Sequence, residues 1–275
     1  MINLNSYKKD GYLLIKDIIP KQEIQFILNE AKEVFFQQFK YKKYTSVDSC
    51  EKLSEKDFNE SLYRLFAEDF TCLSNCGKQV QHLISLHKLS VSEIIVALLK
   101  DVGLKKPVIS TRPVLYFNHP KLAQKKVFYK VDAHQDWRSM QGSLNSAVIW
   151  LPLIDIDKSL GALQILPGSH KNGLLTKSVE QGFGMVSLTE AEQNNLIDVE
   201  VEKGDLLVFS SFLVHQSGEN SSDEPRWSCH FRYNDLLEES FIQRSYAHPY
   251  IYKPQEELIT PGFPSKNDLI HIFNE

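Results

Sequence analysis

The spacing of apolar residues predicts helices in the first third of the chain. From Ile24 to Phe39, apolar residues recur at the three- and four-residue intervals of one helix face, and Pro20 stands just before them as a start signal. The polar, lysine-rich segment 41–57 is predicted as a loop. The predicted helices span 22–38, 60–75, 77–89 and 91–99.

After Lys106 the pattern changes to short stretches that alternate between apolar and polar residues, with Gly, Pro, Asn and Asp between them. The intervals between these stretches are too short for crossover helices, so antiparallel pairing is expected. The predicted strands span 108–117, 129–136, 146–154, 162–167, 198–201, 205–209, 212–216 and 226–233.

Eight short strands behind a helical flank are typical of a double-sheet jelly roll. We therefore predict a mainly β protein of the α+β class, cupin-like, with the N-terminal helices packed on the outer sheet. A single domain is expected over 1–275. Within it, 1–106 form the helical flank, 107–233 the jelly-roll core, and 234–275 a tail that covers the barrel.

Composition and charge narrow the function classes. The 275 residues are 42% hydrophobic and carry a net charge of −4, which disfavours nucleic acid as the main partner. No apolar stretch is long enough for a membrane helix, and the first residues lack a secretion signal. Four cysteines in a chain of this length indicate reduced thiols and a cytoplasmic location. Cys72 and Cys76 are interpreted as packing thiols rather than metal ligands.

Candidate metal ligands lie on two of the predicted strands. Residues i and i+2 of a strand share a face, so His134 and Asp136 can direct an imidazole and a carboxylate to one point. His215 is a polar residue that directly follows three apolar residues in a later predicted strand. Two imidazoles and one carboxylate form the facial triad of non-haem Fe(II) oxygenases. A structural cluster without metal is the alternative.

The last predicted strand alternates completely between polar and apolar residues. An arginine at position 226, with the hydroxyl of Ser228 beside it, suits a bidentate grip on a carboxylate. A surface ion pair is the alternative for Arg226, and two further polar residues either face the same cavity or lie beyond it. The polar positions are Arg226, Ser228, His230 and Arg232; the apolar ones are Trp227, Cys229, Phe231 and Tyr233.

Several segments between about Asn118 and Tyr233 together resemble the phytanoyl-CoA dioxygenase family of Fe(II)/2-oxoglutarate-dependent oxygenases. Their order and spacing carry the resemblance, and the Leu-Pro-Gly-Ser-His segment is especially characteristic. The segments are His134-Gln135-Asp136, Ala147-Val148-Ile149-Trp150, the stretch from Gly161 to His170, Lys203-Gly204-Asp205, His215, and Arg226-x-Ser228.

The resemblance implies a double-stranded β-helix in which His134, Asp136 and His215 bind iron. It also implies that Arg226 and Ser228 bind the C5 carboxylate of 2-oxoglutarate, with Trp150 near this co-substrate. Independently of the resemblance, Tyr116 and Asn118 share one face of a predicted barrel strand. Both are candidates for contact with the co-substrate or the substrate.

The expected activity is hydroxylation of an unactivated C–H bond, with Fe(II), 2-oxoglutarate and O2. The carboxylate of Asp136 argues against a halogenase, which needs that position vacated. Desaturation or ring formation by the same kind of enzyme, and a non-catalytic metal-binding jelly-roll module, remain alternatives. The expected partner is a small polar or anionic molecule, because five cations are predicted near the site: Arg112, Lys130, Arg138, Arg232 and Arg244.

Overall fold

A computed structural model describes residues 4–123, 130–175 and 185–247. The helices are α1 Leu4–Asp10, α2 Lys21–Tyr41, α3 Glu55–Glu68, α4 Phe70–Gln79, α5 Ile84–Ser90, α6 Glu93–Asp101, α7 Trp137–Met140, α8 Glu190–Asn194 and α9 Glu239–Gln243. The strands are β1 Tyr12–Ile15, β2 Pro107–Asn118, β3 Ala147–Pro152, β4 Leu163–Ile165, β5 Ile197–Val199, β6 Leu206–Ser210, β7 His215–Ser217 and β8 Arg226–Asp235.

The strands form two antiparallel sheets, which confirms the predicted α+β jelly roll. The larger sheet has the order β1-β6-β3-β8-β2, and the smaller has the order β5-β4-β7. Strand β8 lies inside the larger sheet and pairs with β2 on one side and β3 on the other. Strand β1 was not predicted, because its four apolar residues show no alternation. It pairs with β6 at the edge of the sheet.

The strand predicted over 129–136 is wrong for residues 130–136; Tyr129 lies outside the described residues. Here the chain makes only isolated bridges, from His134 to Met185 and from His134 to His215. Asp136 has helical backbone angles (φ −62°, ψ −30°) and opens α7. The turn into this helix prevents a regular strand from continuing through Asp136.

The helices bury the predicted apolar faces, but two of them are interrupted at points that the spacing of apolar residues does not predict. The helix predicted over 60–75 is divided at Asp69, whose carboxylate accepts a hydrogen bond from the Cys72 N–H at 2.9 Å and so caps α4. The helix predicted over 77–89 is interrupted by a 3₁₀ turn at Val80–His82. Helix α3 begins at Glu55, inside the predicted loop, because the Ser54 hydroxyl caps it.

Two apolar cores lie on opposite sides of the larger sheet. Strand β3 is buried along its whole length and contributes to both. Ala147, Ile149 and Leu151 join the core beneath the N-terminal helices. Val148 and Trp150 join the core between the two sheets. The helices therefore cover the outer face of the larger sheet, and the inner face is left to line the barrel.

The division into 1–106, 107–233 and 234–275 stays a prediction. Helix α9 lies in the predicted tail, and residues 248–275 are outside the described part of the chain. No single helix of the described residues is both long and apolar enough to cross a membrane. One pair bent by 46°, Phe70–His82 with Ile84–Asp101, meets those criteria only when taken together.

Removing an aromatic ring from the outer core should destabilise the fold strongly. Phe35 of α2 is fully buried, with its ring 4.8 Å from Phe117 and 6.0 Å from Trp227. We expect Phe35→Ala to lower the free energy of unfolding by about 3–5 kcal/mol, because it removes apolar contacts and leaves a cavity. Urea denaturation measures this. Phe26→Ala on the same helix is the control, since Phe26 is 57% exposed. Equal losses would contradict the assigned core.

Candidate active site

Two histidines are placed side by side by backbone pairing. The N–H of His134 donates to the carbonyl of His215 at 3.0 Å, and the N–H of His215 donates back to His134 at 3.1 Å. Residues opposite each other in this way project their side chains to one face. The two ring centroids are 4.1 Å apart. Although His134 is not on a regular strand, one local bridge brings both imidazoles to the same place.

The ring orientations leave one nitrogen of each imidazole facing the cavity. His134 Nδ1 lies 2.9 Å from the carbonyl of Asp132, and His215 Nδ1 lies 3.0 Å from the carbonyl of Leu213. Bonds of this kind fix the tautomer with the hydrogen on Nδ1, so that Nε2 keeps its lone pair. Burial and the neighbouring His134 lower the pKa of His215 to about 3, so this imidazole is neutral at physiological pH.

Asp136 supplies the third group. Its Oδ1 lies 3.8 Å from His134 Nε2, and its Oδ2 lies 4.0 Å from His215 Nε2. Burial opposes ionisation of this carboxyl, which is 3% exposed. The Arg232 guanidinium, which donates to Asp136 Oδ1 at 2.8 Å, opposes this effect, and the pKa of Asp136 lies well below its usual range.

The donor set fits a divalent transition metal. The ligand atoms of His134, Asp136 and His215 all lie within 4.8 Å of one another. Two neutral imidazoles and one ionised carboxylate are the ligands of a facial-triad iron site, which keeps the remaining positions open. These three residues were predicted on strands. Asp136 reaches the site instead from the N-cap position of α7.

A buried arginine lies along the same cavity. Arg226 is 5% exposed and lines the pocket together with the three triad residues. Its Nε donates to Asn118 Oδ1 at 3.1 Å, one terminal nitrogen donates to Ser217 Oγ at 3.2 Å, and the other donates to the carbonyl of Gly161. Burial lowers the pKa of Arg226 to about 10, so the group stays cationic at neutral pH.

The other predicted site residues also reach this cavity. Ser228 and Trp150 line it, as do Tyr116 and Asn118 of β2. His230 and Arg232 face the cavity as well, which answers the question left open by the alternation of β8. Their roles toward iron and co-substrate stay predictions.

The predicted cluster of five cations is not assembled around the cavity. Of the five, only Arg232 lines it among the described residues. Arg112 donates to Gln81, Arg138 donates to the carbonyl of Leu175, and Arg244 donates to the carbonyls of Gln141 and Gly142. These contacts come from chain segments that are distant in sequence, which a local reading does not show.

Sequence reasoning missed Ser217, whose hydroxyl accepts a hydrogen bond from Arg226. A signal was present, because Ser217 follows His215 by two residues and shares its side of β7. It also missed the ion pair between Arg232 and Asp136. No spacing rule connects an arginine on β8 with a carboxylate nearly a hundred residues earlier.

An antiparallel jelly roll with two histidines and one carboxylate in its cavity is the arrangement of the non-haem iron oxygenases. The family profile of phytanoyl-CoA dioxygenase (PhyH) matches residues 7–228. The chain therefore belongs to the phytanoyl-CoA dioxygenase family. This confirms the expected enzyme class, an oxygenase that uses iron, 2-oxoglutarate and O2.

Individual relatives agree in length and fold. A phytanoyl-CoA dioxygenase of Arabidopsis thaliana is 26% identical over 269 residues, covering 88% of this chain and 93% of the relative. The epimerase SnoN, solved with Fe3+, alpha ketoglutarate and nogalamycin RO, superposes with a TM-score of 0.58 at 19% identity, covering 91% of this chain and 90% of SnoN. The apoform of EctD from S. alaskensis gives 0.55 at 14% identity, covering 86% and 76%.

Loss of one triad ligand should abolish tight metal binding. We expect His215→Ala and Asp136→Ala each to weaken Co(II) affinity on the order of a hundredfold or more, because two remaining ligands hold a metal poorly. Calorimetric titration of metal-free protein measures this. His87→Ala on α5 is the control, since His87 lies outside the cavity lining. Unchanged affinity in His215→Ala would exclude it as a ligand.

Acid should destabilise the metal-free protein through His215. Its pKa is about 3 in the fold and about 6.5 in the unfolded chain. Between these values the unfolded state binds a proton that the native state does not, so stability present above about pH 6.5 is lost as the pH falls towards 3.

The contribution is about 2 kcal/mol between pH 7.5 and 5.0. Urea denaturation with a chelator at both pH values should therefore show a smaller loss in His215→Phe than in the wild type. His87→Phe should lose as much as the wild type. The same loss in all three proteins would show that His215 does not carry the effect.

Proposed function

We propose that this protein is an Fe(II)- and 2-oxoglutarate-dependent dioxygenase that hydroxylates an unactivated C–H bond of a small polar or anionic metabolite. The observation that carries the proposal is the buried cation of Arg226. Among the described residues, no carboxylate lies within ion-pair distance of its guanidinium. A buried charge without a counter-charge is costly, so the cavity is built to receive an anion there.

The contacts of Arg226 leave room for a carboxylate. A guanidinium has five N–H donors, and protein acceptors use three of them here. Asn118 and Ser217 hold the group from two different strands, which fixes its plane. The remaining donors suit the far carboxylate of 2-oxoglutarate, with the Ser228 hydroxyl beside it.

The other roles follow from position. His134, Asp136 and His215 would hold the iron. When bound, the iron and 2-oxoglutarate supply the oxidising chemistry of this class, in which O2 and 2-oxoglutarate yield succinate and CO2 while a C–H bond becomes C–OH. The protein binds and orients the reactants and keeps water out. Trp150 and Phe209 form apolar walls of the cavity, and both are buried.

A polar or anionic substrate is supported by only one of the five cations first considered, Arg232. It adds a guanidinium to the lining near the triad. Arg232 is engaged with Asp136, so its charge is partly compensated. The same lining would also serve desaturation or ring formation, and product analysis decides between these outcomes.

A non-catalytic binding module is disfavoured by the buried arginine. Such a module needs neither an uncompensated cation nor three ligands that leave metal positions open. The cytoplasmic location stays a prediction; Cys50, Cys72, Cys76 and Cys229 are all free thiols, in keeping with it.

Anaerobic visible spectroscopy tests the proposal. Adding 2-oxoglutarate to the Fe(II)-loaded protein should produce a weak charge-transfer band, because the keto acid chelates the metal. We expect Arg226→Ala to weaken 2-oxoglutarate affinity on the order of tenfold to a hundredfold, since a charge-assisted bidentate contact is lost.

Arg112→Ala is the control, because Arg112 is an exposed arginine on β2 outside the cavity lining. It should bind 2-oxoglutarate as the wild type does. A folded, metal-loaded wild type that shows no band would exclude the proposed co-substrate.

A further inference from the structure

His230 is a buried histidine that is neither one of the three candidate metal ligands nor a hydrogen-bond partner of Arg226. It is 9% exposed, and its Nε2 has no hydrogen-bond partner among the described residues. Its ring packs against Tyr116 at 5.5 Å between centroids and lines the cavity. A polar nitrogen shut off from solvent without a partner is unfavourable, so its presence here indicates a ligand group in the cavity.

The position of His230 on β8 matches the length of the co-substrate. Ser228 and His230 share the cavity face and are two residues apart, about 6.6 Å along a strand. The carboxyl carbons of 2-oxoglutarate are separated by four C–C bonds, or about 5 Å when extended. With the far carboxylate at Arg226 and Ser228, the opposite end of the molecule lies beside His230.

The neighbouring strand supports the same placement. Trp150 of β3 is directly opposite His230 in the sheet register. Residues paired in this way point to one face with their Cβ atoms about 5 Å apart. Trp150 and His230 both line the cavity, so the register places them side by side on one wall of it.

We propose that His230 is a further co-substrate-binding residue, whose Nε2–H donates a hydrogen bond to the C1 carboxylate of 2-oxoglutarate. This inference rests on the proposed function. Burial and the nearby Arg232 favour the neutral imidazole, which carries one N–H and can act as a single donor. Together with Arg226, His230 would secure both carboxylates of the molecule.

Two substitutions separate the hydrogen bond from the packing. His230→Phe keeps a ring against Tyr116 but removes the donor, and His230→Gln keeps an N–H near the Nε2 position. We expect anaerobic titration of the Fe(II)-loaded proteins, followed by the charge-transfer band, to show about tenfold weaker 2-oxoglutarate binding in His230→Phe. His230→Gln should recover most of the affinity, and His87→Phe should match the wild type.

A second probe identifies the carboxylate. The compound 4-oxopentanoate has the keto group and far carboxylate of 2-oxoglutarate but a methyl group in place of the C1 carboxylate. Its inhibition constant against 2-oxoglutarate should be the same in wild type and His230→Phe, and it should rise in Arg226→Ala. Should His230→Phe fail to fold by circular dichroism, His230→Leu replaces it.

The outcomes separate this inference from the proposed function. A wild-type band with unchanged 2-oxoglutarate affinity in His230→Phe overturns the role of His230 alone. Equal weakening of 2-oxoglutarate and 4-oxopentanoate also overturns it, because the effect would then not depend on the C1 carboxylate. Absence of a band in every protein overturns the proposed function itself.

Discussion

Strand β8 is buried on both faces, and its two faces need opposite chemistry. On one face, Trp227, Cys229, Phe231 and Tyr233 complete the core beneath the N-terminal helices. On the other, Arg226, Ser228, His230 and Arg232 line the cavity. A slip of one residue in its pairing with β2 or β3 would move two arginines into the apolar core. The register of this strand therefore determines both the stability of the fold and the content of the site.

Charge compensation divides the cavity into two ends. Asp136 is buried at one end and is balanced by Arg232 before any metal binds. Arg226 is buried at the other end without an acidic partner among the described residues. In a medium of low polarity an unbalanced cation is expensive, whereas a balanced carboxylate can be kept ionised. The proposed function uses this difference, with a metal cation at one end and an organic anion at the other.

The helices contribute by holding the sheet rather than by supplying catalytic groups. The ring of Phe35 on α2 meets Phe117 of β2 and Trp227 of β8. These contacts anchor two of the strands whose opposite faces carry Asn118, Ser228 and Arg226. Close packing of this kind transmits displacement, so the precision of the cavity depends on the outer core. The helical layer thus packs on one face of the larger sheet, and the candidate active site lies on the other face.

Local sequence determined the elements whose signals lie within a few neighbouring residues. The alternation of 226–233 predicted the two faces of β8, and the His134, Asp136 and His215 pattern predicted the groups that the fold brings together. Only the tertiary structure decided how they meet. Asp136 approaches from a helix start, Arg232 pairs with Asp136, and Arg226 is held by Asn118 and Ser217. The edge strand β1 and the break at Asp69 were likewise missed. Periodicity depends on residues adjacent in the chain, whereas these contacts depend on distant segments that meet only when the sheets close.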